Sequence, residues 1–299
     1  MKWQILLPIF FLSTSYYNLV TDYSFVTPDS HVYVDTDYRQ VGKAKFRTRS
    51  VHGSHEQYQD GHGSLFLSHY LTECNSLSWE AGYHYLHFGW LDNPRFSDST
   101  YQFGNASLGW VSTSIKDWRW VLQTGVSVDT KTWNFGQSGV YYGLMWGRYQ
   151  FSDTVGMHVG WTGYVGVQNG YMLPIIGVDW TVGNHWKCNG IFPVNLSIEY
   201  LFNKYVTASA EVGVFGMPYR FPMRVHGGKG RFHNGIFEVY SKGLELDLNF
   251  HVDKNFSATI GGGWNFGGWI LIKDHANHHP KYYHFNGAPY AQARLAFGF

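Results

Sequence analysis

An all-β chain that closes into an antiparallel barrel across a membrane is the fold this sequence predicts. Three observations predict it. Apolar and polar residues alternate with a period of two through nearly all of the chain after residue 30. Many of the alternating runs are longer than about ten residues. A globular strand has about 5–6, whereas a tilted strand needs about 9–11 to cross a bilayer. Finally, tight turns and long polar connections fall largely on opposite ends of the runs, the asymmetry of a membrane barrel.

Composition agrees. Of 299 residues, 14% are charged, 19% are aromatic and 35 are glycine. An average globular chain has about 25% charged residues. Mean hydropathy is nevertheless slightly negative. No apolar run reaches the roughly 20 residues of a membrane-spanning helix. The formal net charge of +1 gives no reason to expect nucleic acid as a partner.

The chain opens on "MKWQILLPIFFLSTSYYN". Lys2, an apolar stretch from Ile5 to Leu12, and the small residues Ser13 and Ser15 have the layout of a secretory signal peptide. Residues 1–15 are therefore read as the signal, 16–30 as an N-terminal segment and 31–299 as the barrel. About fourteen strands are expected, with about twelve as the alternative. They fall near 31–40, 63–73, 77–90, 101–115, 118–129, 138–151, 154–166, 171–182, 186–202, 205–216, 218–226, 235–251, 255–267 and 287–299. "SIKD", "SDT" and "VDKN" read as short periplasmic turns; 41–62, 91–100, 129–137, 227–234 and 267–286 read as long outer loops. The tight "FNK" turn at 202–204 falls on the loop side in this count, so one strand pair is expected to be misplaced.

Each strand should show one face to lipid and one to the interior. "GLELDLNFHV" sets Leu244, Leu246, Leu248 and Phe250 against Glu245, Asp247, Asn249 and His251. Trp79, Tyr101, Trp110, Trp118, Trp120, Tyr149, Tyr171, Trp180, Tyr200 and Trp264 lie near run ends, where aromatic girdles meet the membrane interfaces. Charge is costly on a lipid face, so the strand charges should point inward. The expected lumen-lining set is Asp35, Asp37, Arg39, Glu80, Arg119, Asp179, Glu199, Glu211, Arg220, Arg224, Glu245, Asp247 and Arg294. Arg294 and Asp35 should meet where the barrel closes, and Arg220 or Arg224 is a candidate partner for Glu245. Such a set either selects solutes or satisfies itself as a structural network.

The ending "ARLAFGF" completes the pattern, with Ala291, Ala293, Leu295, Phe297 and Phe299 on one face. With the signal-like start and the alternation, it resembles bacterial outer-membrane β-barrel proteins. "LPIIGVDW" resembles barrels known only as domains of unknown function. The resemblance implies a place in the outer membrane, with lipid and the barrel-assembly machinery as partners. It also implies that Leu295, Phe297 and Phe299 form the assembly signal.

The leading function is passive passage of small solutes through a polar, partly charged lumen. A plugged structural or surface-interaction barrel is the alternative, and a membrane hydrolase is the third reading. His84 with Glu80, or His158 with Asp179, could supply a hydrolase site, but no spacing demands one, so the chain is read as a non-enzyme. No cofactor is expected. His275 and His279 are the weak metal candidates, four apart in a loop with no helix to present them together, and no metal is expected there. Cys74 and Cys188 should remain unpaired, because the expected strand order puts them roughly half-way round the barrel from each other.

Overall fold

The computed structural model describes residues 32–299 apart from 52, 92–98, 167–169, 194, 216–217, 221–224, 228–229, 233–235, 253–254 and 274–279. The expected signal peptide and N-terminal segment lie outside the described residues, as do Arg224, His275 and His279.

The strands are β1 (Val32–Lys45), β2 (His55–Thr72), β3 (Asn75–Leu91), β4 (Ser99–Ser112), β5 (Trp118–Asp129), β6 (Val140–Ser152), β7 (Val155–Val165), β8 (Tyr171–Val182), β9 (Trp186–Phe192), β10 (Asn195–Asn203), β11 (Val206–Phe215), β12 (Pro218–Arg220), β13 (Val225–Gly227), β14 (Gly230–Phe232), β15 (Ile236–His251), β16 (Phe256–Lys273), β17 (Lys281–Phe285) and β18 (Ala288–Gly298). Fourteen of them close an antiparallel barrel. Each of β1 to β10 pairs with the next, β11 pairs with β15, β15 with β16, β16 with β18, and β18 returns to β1. The closing ladder runs from Tyr33 opposite Gly298 to Val41 opposite Tyr290. Phe299 N–H donates to the Val32 carbonyl at 2.8 Å, so the last residue is part of the sheet.

The pleat sorts side chains as the alternation predicts. On β15, Leu244, Leu246 and Leu248 are exposed outward, while Glu245 and Asp247 between them are buried. Trp79, Trp110, Trp161, Trp180, Trp186 and Trp264 are also exposed on the outer face, as are Leu295, Phe297 and Phe299. A predominantly apolar exterior is the surface that hydrocarbon requires.

The count of fourteen agrees with expectation, but two strands differ. The run at 186–202 is two strands, β9 and β10, which turn back at Phe192–Pro193. The run at 218–226 is not a barrel strand. Its first part, β12, lies beside the loop-end half of β15, in line with β11. Splitting one strand and losing another leaves the total unchanged. It also moves the "FNK" turn to the same end as the other tight turns. Proline has no N–H to continue a ladder, which is why the break falls there. The expected loops 41–62 and 267–286 are shorter than read, because β1, β2, β16 and β17 extend into them.

At the loop end the wall folds inward. Along Ile236–Ser241 of β15 all six residues are buried, where the rest of the strand alternates. Phe237 packs edge-on against Phe88 of β3 at 5.2 Å and stacks with Tyr101 of β4 at 5.9 Å. Ile236 and Tyr240 join Val140, Tyr142 and Tyr164 of β6 and β7. β15 stands between β11 and β16 in the wall, several strands from either group. It reaches both only because this end of the β15–β16 ladder bends across the interior. A register shift between Ser241 and Gly243, opposite Gly267 at φ 90°, marks the bend. Tyr101 therefore faces inward into this apolar cluster and is not part of an outer girdle.

Candidate functional site: the charged interior

Below the infolded mouth, the inward faces carry charge in four groups. The first lies at the closing seam. Arg39 on β1 donates to Gln292 Oε1 on β18 at 2.6 Å and stands 3.3 Å from Glu245 Oε2 on β15. Tyr290 donates its hydroxyl to Glu245 at 2.9 Å, and Gln292 donates to Asp247 at 3.0 Å and to Glu245. Arg294 holds Asp35 with two bonds, 2.8 and 3.2 Å.

These contacts bridge β15 and β18 across the intervening β16, and the sequence shows how. β16 presents Gly261 and Gly263 inward. A Cβ on Gly261 would stand 1.6 Å from Asp247 Oδ1, and one on Gly263 would meet the Tyr290 hydroxyl at 2.7 Å. The missing side chains are the space in which the neighbours meet. The same device recurs on β7. There, Arg148 of β6 reaches over Gly156 to Asp179 of β8 with two bonds of 2.8 Å.

The second group spans β1 to β5. Glu80 accepts from Ser64 at 3.1 Å and from Ser107 at 2.7 Å, and Gln123 donates to Ser107 at 3.1 Å. His62 contacts Ser64 at 2.9 Å, and His84 contacts Asp60 at 2.6 Å. In the third group His158 Nε2 lies 2.5 Å from Asp179, and its Nδ1 accepts from Trp146 Nε1 at 3.0 Å. The fourth joins Asn189, Ser197, Glu199 and Lys187 on β9 and β10, with Glu211 inward on the adjacent β11. Among the described residues of these faces, acids outnumber cations. Asp35, Asp37, Asp60, Glu80, Asp179, Glu199, Glu211, Glu245 and Asp247 stand against Arg39, Arg119, Arg148, Lys187 and Arg294.

Of the residues selected from sequence, those on β1, β3, β5, β8, β10, β11, β15 and β18 lie on inward faces. Arg220 is different: it ends β12 at the loop rim, opposite Ile236, outside the spanning wall. The partner of Glu245 is Arg39, from the far side of the seam, and Arg220 is not on a wall strand beside it. Asp60, His62 and Arg148 belong to the network but were not selected. His62 and Asp60 sit in a stretch read as loop. Their signal was Tyr58, Asp60, His62 and Ser64 alternating with Gln59, Gly61 and Gly63.

Of the two hydrolase pairings only His158 with Asp179 is formed. His84 contacts Asp60, while Glu80 is taken by two serines. His158 does meet Asp179, but its second nitrogen is taken by Trp146 and its side chain is wholly buried. A catalytic dyad needs that nitrogen free for a nucleophile. Cys74, in the β2–β3 turn, and Cys188, on β9, are free thiols on strands far apart in the barrel order.

No family model matches the chain. It is 27% identical over 261 residues to an uncharacterised protein of Chlamydia pneumoniae, covering 80% of this chain and 78% of that one. It is 23% identical over 279 residues to an uncharacterised protein of Chlamydia trachomatis, covering 88% and 86%. Among solved structures, an outer membrane channel from Pseudomonas putida F1 matches with a TM-score of 0.52 at 8% identity, covering 91% of this chain and 97% of that one. The fold is that of bacterial outer-membrane β-barrels.

Proposed function

We propose that the chain is a passive outer-membrane channel whose interior favours small cationic or neutral polar solutes over anions. The observation that carries this reading is the excess of acids on the inward faces. A ring of carboxylates in a low-dielectric wall attracts cations and repels anions. The glycines of β7 and β16 support it, because charged groups that lie along the wall leave the axis clearer than groups projecting toward it. The Pseudomonas neighbour is an outer membrane channel by its description, which agrees with the reading at the level of fold. In the same reading residues 1–15 are removed on export, and Leu295, Phe297 and Phe299 are read by the assembly machinery before the barrel enters lipid.

A second reading is favoured by the infolded mouth. Phe237 and its partners fill the loop end with apolar side chains, as a plug does. Planar-bilayer recordings separate the two. A conducting, cation-selective wild type, with selectivity reduced in Asp247→Asn, supports the channel. A wild type that stays closed, and stays closed when Phe237→Ala loosens the mouth, supports the plugged barrel and overturns the channel.

A further inference from the structure

Asp37 on β1 and His62 on β2 are direct partners across the ladder, and Asp35 is two residues away on the same inward face. His62 is only 8% exposed. The proton on its ring can be located from its surroundings. The Ser64 hydroxyl has one hydrogen and gives it to Glu80 at 3.1 Å. Ser64 Oγ must then accept from His62 Nε2, 2.9 Å away, so Nε2 carries a proton. This leaves Nδ1. It is buried, makes no hydrogen bond, and stands 3.4 Å from Asp37 Oδ2, which is also buried without a hydrogen bond. In the neutral ring Nδ1 is a bare lone pair. Two buried acceptors facing each other are costly unless a positive charge lies between them.

The spacing favours a metal ion over a proton as that charge. A charge-assisted N–H···O bond is about 2.7–2.9 Å long. The two ligands of a tetrahedral zinc, each about 2.0–2.1 Å from the ion, stand about 3.3–3.5 Å apart. The observed 3.4 Å fits the metal and is long for the proton. A third donor is within reach, because one ligand atom from each of Asp35, Asp37 and His62 lies within 4.8 Å of the others. Asp35 is held in place by Arg294, yet its oxygens keep further lone pairs. The chain from His62 through Ser64 to Glu80 fixes the ring as outer partners of metal ligands do.

We propose that Asp35, Asp37 and His62 bind a divalent transition-metal ion of the Zn²⁺ type inside the barrel, with water completing the shell. The imidazole donor favours such an ion over Mg²⁺ or Ca²⁺. The site stands on the wall geometry alone, so it holds whether the lumen conducts or is plugged.

The test uses the full chain refolded in detergent, with His275, His278, His279 and His284 changed to Ala to remove competing imidazoles. Calorimetric titration with Zn²⁺ should show one site, Co²⁺ should give visible absorption bands of a low-symmetry four-coordinate centre, and Mg²⁺ should not compete. His62→Ala and Asp37→Asn should each weaken Zn²⁺ binding by more than about a hundredfold, and Ser64→Ala by about tenfold, through loss of ring orientation. Heat-modifiable gel mobility checks folding of each variant. Unchanged Zn²⁺ affinity in folded His62→Ala or Asp37→Asn overturns the proposal. So does ¹⁵N NMR of the parent showing both His62 nitrogens protonated in the presence of Zn²⁺, a measurement that needs no variant to fold.

Discussion

Gly156→Ala is a one-carbon change that should act through two other strands. The new Cβ would stand 2.3 Å from Asp179 Oδ1, 2.5 Å from Arg148 Nη2 and 2.6 Å from Arg148 Cζ. No carbon occupies such distances, so the Arg148 fork must leave Asp179. Two charge-assisted hydrogen bonds are lost, each contributing about 1.5–3 kcal/mol when buried. The loss is partial, because the Arg148 side chain is 23% exposed and can be hydrated, and because His158 still holds Asp179. A net cost of about 2 kcal/mol follows, roughly thirtyfold in the folding equilibrium. Gly190→Ala is the control: its Cβ would meet nothing nearer than 3.7 Å, and it shares the generic effect of alanine in a strand. The assay is urea-dependent folding into lipid vesicles, followed by tryptophan fluorescence and gel mobility. Adding Gly156→Ala to Asp179→Asn should cost far less than adding it to the wild type, since the pair is already broken. Equal stability of Gly156→Ala and Gly190→Ala would refute the reasoning, as would a full cost in the Asp179→Asn background.

Two further outcomes are expected. Leu246 is 61% exposed on the outer face, so Leu246→Arg should hinder insertion by about 2–4 kcal/mol if it sits near mid-membrane, whereas Glu245→Gln should insert and shift reversal potentials away from cations. Equal insertion defects would contradict the two-faced wall. Cys74 is exposed in a turn, so it should react with a water-soluble maleimide faster than the half-buried Cys188, and mass spectrometry of the non-reduced protein should find no link between them.

The barrel was legible because its pattern is local. A period of two needs only the residue and its neighbours, and Glu245 beside Leu246 declares which way each points. The meeting of Arg294 with Asp35 was also legible, since closure forces the last strand onto the first. What could not be read depends on register. The Arg39–Glu245 contact joins residues three strands apart, and only the ladder offsets bring them level. Gly156, Gly261 and Gly263 carry no side chain to read, yet each is the gap through which a flanking pair bonds. The stretch around His62 was hidden for a related reason: its outward positions Gly61 and Gly63 are too small to mark a lipid face. Tyr101 was misleading because the inward bend of β15 turns an apolar interior into a second core, which alternation alone does not distinguish from lipid contact.

The wall is not of even height, and that has a consequence for the membrane around it. β2 runs for 18 residues and β9 for 7. At about 3.3 Å per residue and a tilt near 40°, these rise about 45 Å and about 18 Å. The usual apolar band of such barrels is about 25 Å tall. Along β9 the ladder is therefore shorter than the hydrocarbon it must match, and the bilayer has to thin or its headgroups have to tip inward there. Hydrophobic mismatch becomes directional: one flank meets lipid of ordinary thickness, and the other imposes a local dent. A barrel of this shape carries its own preferred side for meeting thin membrane or a neighbouring protein that shares the deformation.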